Sequence, residues 1–177
     1  MNAIDAVRTC YRKGFVMRGR AIRSEYWWFM LYFAVLQGVF QGLMDSGVLG
    51  SPPSLLGILL RVAGTLFLLY TAIVGLCVEV RRLHDVNRSG WWVGASVLMG
   101  LLMEGAVVID IVAAHVAVSG IPQFIRGLTL SGHGLLVLGL VVTLALDITI
   151  FVFLVLPGTS GGNSYGPDPL ATEGARS

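Results

Sequence analysis

The sequence predicts an all-α, polytopic membrane protein: a bundle of four transmembrane helices preceded by a short amphipathic helix. Mean hydropathy is +0.80, and only 12% of the 177 residues are charged, about half the share in a soluble domain. Four apolar stretches have roughly the 20-residue length with which a helix crosses a bilayer core. They cover residues 26–44, 55–78, 91–112 and 135–156. We assign residues 1–170 to one membrane domain and residues 171–177 to a flexible tail.

The first predicted element is a basic amphipathic helix at the membrane surface. Apolar residues recur at spacings of three, four and four; they are Ile4, Val7, Tyr11 and Phe15. Arg8, Arg12 and Lys13 fall on the other faces, as is typical of a helix that lies in the membrane interface. A disordered basic arm is the alternative. Because the first 25 residues contain no apolar core, we expect the first span to be an uncleaved anchor.

The four spans differ in the charges that they contain. The first has none, the second has only Arg61, the third has Glu104 and Asp110, and the fourth has only Asp147. The third span is therefore the weakest, and a re-entrant or tilted segment stays open as an alternative. Residues 46–54 predict a turn, residues 119–134 a polar loop, and the Gly- and Ser-rich residues after 157 a loosely ordered end.

The distribution of basic residues predicts the orientation in the membrane. Six precede the first span, and none follows it before the second; the six are Arg8, Arg12, Lys13, Arg18, Arg20 and Arg23. Because basic residues concentrate in cytoplasmic segments, the N-terminus is predicted to be cytoplasmic. Four crossings then return the C-terminus to the cytoplasm.

This orientation gathers three polar motifs at the cytoplasmic ends of the spans: GRAIRSEYWWF (19–29), RRLHDVNRSGWW (81–92) and GNSYGPDP (162–169). Planar guanidinium groups suit phosphate or carboxylate ligands, and the nearest anions are lipid head groups. The candidate anion-binding residues of this cytoplasmic cap are Arg20, Arg23, Glu25, Arg81, Arg82, His84, Asp85, Arg88, Asn163 and Tyr165. The alternative is a structural cap that also fixes the topology, in which the arginines pair with Glu25, Glu79, Asp85 or Asp168.

The charges inside the spans form a second group of candidates: Arg61, Glu104 and Asp147. Counted at about 1.5 Å per residue, Arg61 and Glu104 lie at similar depth in the outer half of the bilayer, which predicts an ion pair. Arg61 reaching the outer head groups is the alternative. We expect Asp147 to be protonated, to bond Thr143 or to line a polar path.

Small residues also follow helical spacings within the spans. Gly38 and Gly42 form a GxxxG pair in the first span. Such stripes are typical of close helix packing, here either in the bundle interior or at a homodimer face.

Residues in all three motifs match one known pattern. They are Arg20, Arg23, Glu25, Trp27, Trp28, Arg81, Arg82, Leu83, His84, Asp85, Ser89, Gly90, Trp91, Trp92, Pro157, Gly158, Asn163, Tyr165, Gly166 and Pro167. Over about residues 11–169 the chain resembles the bacterial inner-membrane proteins of domain-of-unknown-function family 805. One departure is at Ile73, Val74 and Gly75, where a proline is common in that family. The resemblance implies an inner-membrane location and four spans, and it implies no activity.

Two functions fit these patterns. The first is a non-catalytic membrane protein whose Arg- and Trp-bearing cap binds anionic lipid or a partner protein. The alternative is a small oligomeric transporter or channel that uses Arg61, Glu104, Asp110 and Asp147. An enzyme is disfavoured, since no paired carboxylates or nucleophile constellation is visible. We expect no cofactor, metal site or nucleic-acid partner, and a homo-oligomer remains open.

Overall fold

The computed structural model describes the backbone of residues 1–47, 54–116 and 123–174. It describes their side chains apart from those of residues 110, 113–135 and 172–174. Within these ranges the chain is helical and contains no strand. The helices are α1 (Ala3–Lys13), α2 (Arg23–Asp45), α3 (Leu55–Asp85), α4 (Trp91–Val116), α5 (Gln123–Val155) and α6 (Pro169–Gly174).

Four of these helices are long and apolar enough to cross a membrane. The qualifying segments are Arg23–Asp45, Leu55–Asp85, Trp91–Ile109 and Leu136–Val155. They confirm the predicted all-α class with four transmembrane helices and a short N-terminal helix. Asp110, which interrupts the predicted third span, has a side chain outside the described residues.

The structure corrects two element boundaries. The second predicted span ends at residue 78, whereas α3 continues to Asp85, so that Arg81, Arg82 and His84 lie on a helix and not in a loop. The polar loop predicted at residues 119–134 is helical from Gln123 onwards. Glycine costs only about 1 kcal/mol in a helix interior, so the glycines of this segment do not end the helix.

The chain divides into two compact units, Met1–Gly90 with Leu154–Ser177 and Trp91–Phe153. In the first unit α1 packs against α2 and α3. The contact is made by Ala6 and Cys10, which are fully buried, and by Tyr11, whose hydroxyl group bonds the Thr71 hydroxyl at 2.9 Å. The amphipathic helix is therefore present, but two residues at the ends of its predicted apolar face, Ile4 and Phe15, remain exposed.

In the second unit a polar contact links α4 to α5. The Ser96 hydroxyl donates to Asp147 Oδ1 at 2.5 Å, whereas Thr143 donates to the Gly139 carbonyl of its own helix at 2.9 Å. Of the roles expected for Asp147, a bond with Thr143 is thus not found. Arg61 and Glu104 belong to different units, and their ion pair stays a prediction.

The close helix contacts lie away from the GxxxG pair. A Cβ atom added at Gly38 or Gly42 meets no described atom within 4 Å, whereas one added at Gly64 would overlap the Phe40 ring. The predicted GxxxG pair therefore makes no close contact with a described helix, whereas Gly64 of α3 lies against Phe40 of α2.

Candidate functional site

A buried charge cluster lies where α3 ends. Arg20 Nε donates to Asp85 Oδ1 at 2.9 Å, and Arg82 Nη1 donates to Asp85 Oδ2 at 2.5 Å. All three side chains are at most 6% exposed. The two guanidinium groups donate charge-assisted hydrogen bonds to one carboxylate, and such bonds are stronger than hydrogen bonds between neutral groups.

The remaining donors of the two arginines hold the chain that follows α5. Arg20 Nη1 donates to the Gly161 carbonyl at 2.6 Å, and its Nη2 donates to the Thr159 carbonyl at 2.5 Å. Arg82 donates to the carbonyls of Leu154 and Leu156, where a cation complements the carbonyl end of the α5 dipole. The cluster therefore fastens the C-terminal segment to the end of α3.

The C-terminal motif makes further contacts with the same helix end. The Thr159 amide donates to the Asp85 carbonyl at 2.9 Å, and Asn163 Nδ2 donates to the His84 carbonyl at 2.9 Å. The Tyr165 ring stacks on the His84 imidazole, with centroids 3.9 Å apart and planes 5° apart. This segment is ordered by these bonds, contrary to the predicted loose end.

All three motifs meet at His84. Its Nδ1 lies 3.2 Å from the Gly19 carbonyl oxygen, and because a carbonyl only accepts, Nδ1 carries the proton. In the structure, the cap predicted from the three motifs comprises residues 19–25, 81–90 and 156–168. All of them belong to the first unit.

A second buried ion pair lies beside α1. Arg81 Nη1 donates to Glu25 Oε1 at 2.6 Å, with both side chains at most 4% exposed. Lys13 Nζ is 3.5 Å from the same oxygen. Arg81 Nε and Nη2 find no hydrogen-bond acceptor among the described residues. Burial, followed by the Glu25 charge, raises the pKa of the neighbouring Cys10 thiol to about 12, so this thiol is neutral and poorly nucleophilic at physiological pH.

An open cleft of about 360 Å³ lies between the start of α2 and the C-terminal segment. One wall consists of Ile22, Arg23 and Ser24, and the other includes Gly158–Ser160 and Asp168. Ile22, the N-cap residue, provides no side-chain hydrogen bond to α2. The first N–H groups of a helix have no acceptor within it and attract anions.

Asp168 lines the cleft as a second carboxylate in addition to Asp85. It accepts hydrogen bonds from the N–H groups of Leu170 at 2.9 Å and Gly161 at 3.0 Å. These bonds hold the pKa of Asp168 below its ordinary value, that from Leu170 contributing most. The group is therefore ionised at neutral pH.

The comparison with known proteins covers residues of all three motifs. The family model described as a protein of unknown function (DUF805) matches residues 14–167. The chain belongs to this family. Inner membrane protein YhaH of Escherichia coli K12 is 42% identical over 76 residues, which are 42% of this chain and 58% of YhaH. Inner membrane protein YhaI of the same strain is 36% identical over 74 residues, 42% of this chain and 55% of YhaI.

These DUF805 relatives confirm the resemblance predicted from the motifs. Their names and the four apolar helices support an integral protein of the inner membrane. The chain spans a little more than half the length of the curated relatives that it matches. No solved structure matches it.

The candidate residues in the cap of this DUF805 chain fall into three groups by exposure. Those that are buried and bonded inside the cap are Arg20, Glu25, Arg81, Arg82 and Asp85. Arg23 and Arg88 are exposed, and His84, Asn163 and Tyr165 are half-buried. Sequence reasoning treated the arginines alike, since composition does not show which ones point inward. It also missed Thr159 and Ser160, and only their position in the C-terminal segment next to the matched motif hinted at them.

The described residues offer little for a metal ion. No group of three His, Cys, Asp or Glu side chains converges among those that the structure describes. Of the candidate arginines of the cap, Arg20, Arg81 and Arg82 pair with Asp85 or Glu25 inside it, as in the structural alternative. Arg23 and Arg88 are exposed at its surface.

Proposed function

We propose that this chain is a non-catalytic membrane protein whose cap and α1 bind the anionic lipid head groups of the cytoplasmic leaflet. The observation that carries the proposal is a short exposed apolar segment, residues 15–17, which lies between the exposed residues Arg12 and Arg18. We call this segment the tip. Phe15, Val16 and Met17 are 65%, 49% and 51% exposed. The exposed arginines around this tip and along α1 are Arg8, Arg12, Arg18 and Arg23.

The position of the tip favours lipid over a partner protein. The tip and Arg18 come directly before α2, whose first residue, Arg23, also begins the first membrane-spanning segment. Trp27 and Trp28, each 40% exposed, follow in the second turn of α2, and such aromatic side chains anchor helices at head-group level. A basic residue near an anionic leaflet contributes about 1 kcal/mol. Apolar insertion and charge attraction therefore act on one short segment.

Replacing Arg8, Arg12 and Arg18 together with glutamine should reduce the enrichment of phosphatidylglycerol around the protein by at least about fivefold. The enrichment is measured as the ratio of phosphatidylglycerol to phosphatidylcholine in polymer nanodiscs cut from vesicles with equal amounts of both lipids. The matched control is Asp5→Asn on α1, which removes a negative charge and should leave the enrichment equal or higher. Wild-type enrichment in the triple variant would contradict the proposal.

The proposed orientation has its own test. In a Cys10→Ala, Cys77→Ala background, single cysteines at Arg18→Cys and Ser164→Cys should both react with a membrane-impermeant maleimide in inverted vesicles. Neither should react in right-side-out cells, because charge bias keeps this end in the cytoplasm. Labelling of either site from outside the cell would overturn the orientation.

A further inference from the structure

We propose that the cleft beside the start of α2 binds a phosphoethanolamine head group, with the phosphate at the helix N-terminus and the ammonium at Asp168. The inference rests on the proposed function only in that it requires the cap to lie at head-group depth. It concerns a different lipid and a different surface from the arginines of α1.

Part of the wall of the cleft is formed by buried, hydrogen-bonded side chains. Arg20 and Asp85 form part of its lining, and their side chains are only 2% and 6% exposed. Their ion pair and the bonds from Arg20 to the Gly161 and Thr159 carbonyls fix the wall. A volume of about 360 Å³ lies within the size range of small-molecule sites.

The depth of the cleft matches that of a lipid head group. Its lining includes Arg23, where the first membrane-spanning segment begins. It also includes Pro157, two residues beyond Val155, where the last such segment ends. Exposed Leu170 also lines it. A head group in this cleft would keep its glycerol and acyl chains on the apolar side.

One wall suits a phosphate. The first N–H groups of α2 have no side-chain cap, and Arg23 and Ser24 line the cleft beside them. The Nε atom of Arg23 donates to the Leu156 carbonyl at 3.1 Å, which holds this guanidinium at the span end. Backbone N–H groups, a hydroxyl group and a guanidinium together form an anion site at a helix terminus.

The other wall suits an ammonium group. Asp168 is ionised, and it lines the cleft together with Ser160. A carboxylate repels a second anion but accepts N–H bonds from a primary ammonium. Phosphoethanolamine carries both charges in one head group. Phosphocholine has the same net charge but no N–H donor, which makes it the informative comparison.

Native mass spectrometry of the purified full-length protein tests the proposal. Dioleoyl-phosphatidylethanolamine should bind about tenfold more tightly than dioleoyl-phosphatidylcholine, as expected for one charge-assisted hydrogen bond. Asp168→Asn, which keeps an oxygen for the Leu170 N–H, should abolish this preference and leave phosphatidylglycerol binding equal or stronger. Ser24→Ala should weaken both zwitterionic lipids to the same extent. The matched control is Asp45→Asn, at the far end of α2, which should keep the full preference.

A series of head groups keeps the test decisive if Asp168→Asn fails to fold. Stepwise N-methylation of phosphatidylethanolamine should lower the affinity of the wild-type protein with each N–H removed. Equal binding of the ethanolamine and choline lipids would overturn the proposal, as would an unchanged preference in folded Asp168→Asn. The triple glutamine variant of Arg8, Arg12 and Arg18 should change phosphatidylglycerol enrichment alone, so the failure of the proposed function is separable from the failure of this site.

Discussion

Asp85→Ala should lower the free energy of unfolding by about 3–5 kcal/mol, the cost of removing one partner from a buried ion pair. Asp85 is the carboxylate shared by Arg20 and Arg82, whose side chains are 2% and 0% exposed. The substitution leaves two buried cations without their counter-ion. The loss is measured by SDS titration of the protein in mixed micelles, with helix content followed by circular dichroism.

Two further variants separate the charge of Asp85 from its shape. Asp85→Asn keeps the size of the side chain and should recover only part of the loss, because a neutral amide accepts weaker hydrogen bonds than a carboxylate. Asp5→Ala removes an exposed carboxylate in the first turn of α1 and should cost no more than about 1 kcal/mol. An Asp85→Ala protein as stable as the Asp5→Ala protein would rule out a structural role for the cluster.

The membrane-spanning helices were predictable from sequence because the cost of placing charge and open backbone in lipid is a local property of the chain. The two boundary errors have a different origin. Arg82 and Asp85 stay helical because each finds partners in the folded protein, and the C-terminal segment is ordered because Arg20 bonds the Gly161 carbonyl, 141 residues away. Such long-range contacts leave no periodic signal in the sequence.

For the candidate site, the sequence predicted that the three motifs lie close together, but not which of their residues are buried. Charge bias and span count predict that the three motifs share one membrane face, and the structure brings them together at His84. The sequence offered no means of separating buried Arg81 and Arg82 from exposed Arg88, since all three lie in one motif. A helix buries one face, and which face it buries depends on the neighbours that pack against it.

Gly158 connects the ordered C-terminal segment to the charge cluster. A Cβ atom at this position would overlap Asp85 Oδ2 and lie 2.7 Å from Asp85 Cγ. The carboxylate is bonded by two guanidinium groups and cannot move away without breaking these bonds, so we expect the backbone at Gly158 to shift. Glycine is needed here for close approach and not for an unusual backbone conformation.

Gly158→Ala should therefore cost at least about 2 kcal/mol, as overpacking does in a filled site, in the same SDS titration. It should also release the Tyr165 ring from His84, which limited proteolysis of the C-terminal segment reports as faster cleavage. The matched control is Gly38→Ala, where an added Cβ meets no described atom within 4 Å. Alanine favours the helix by up to about 1 kcal/mol, so this variant should be as stable as the wild type or more so. If Gly38→Ala were the damaging change and Gly158→Ala the silent one, stability would depend on the GxxxG stripe and not on the packing between the C-terminal segment and Asp85.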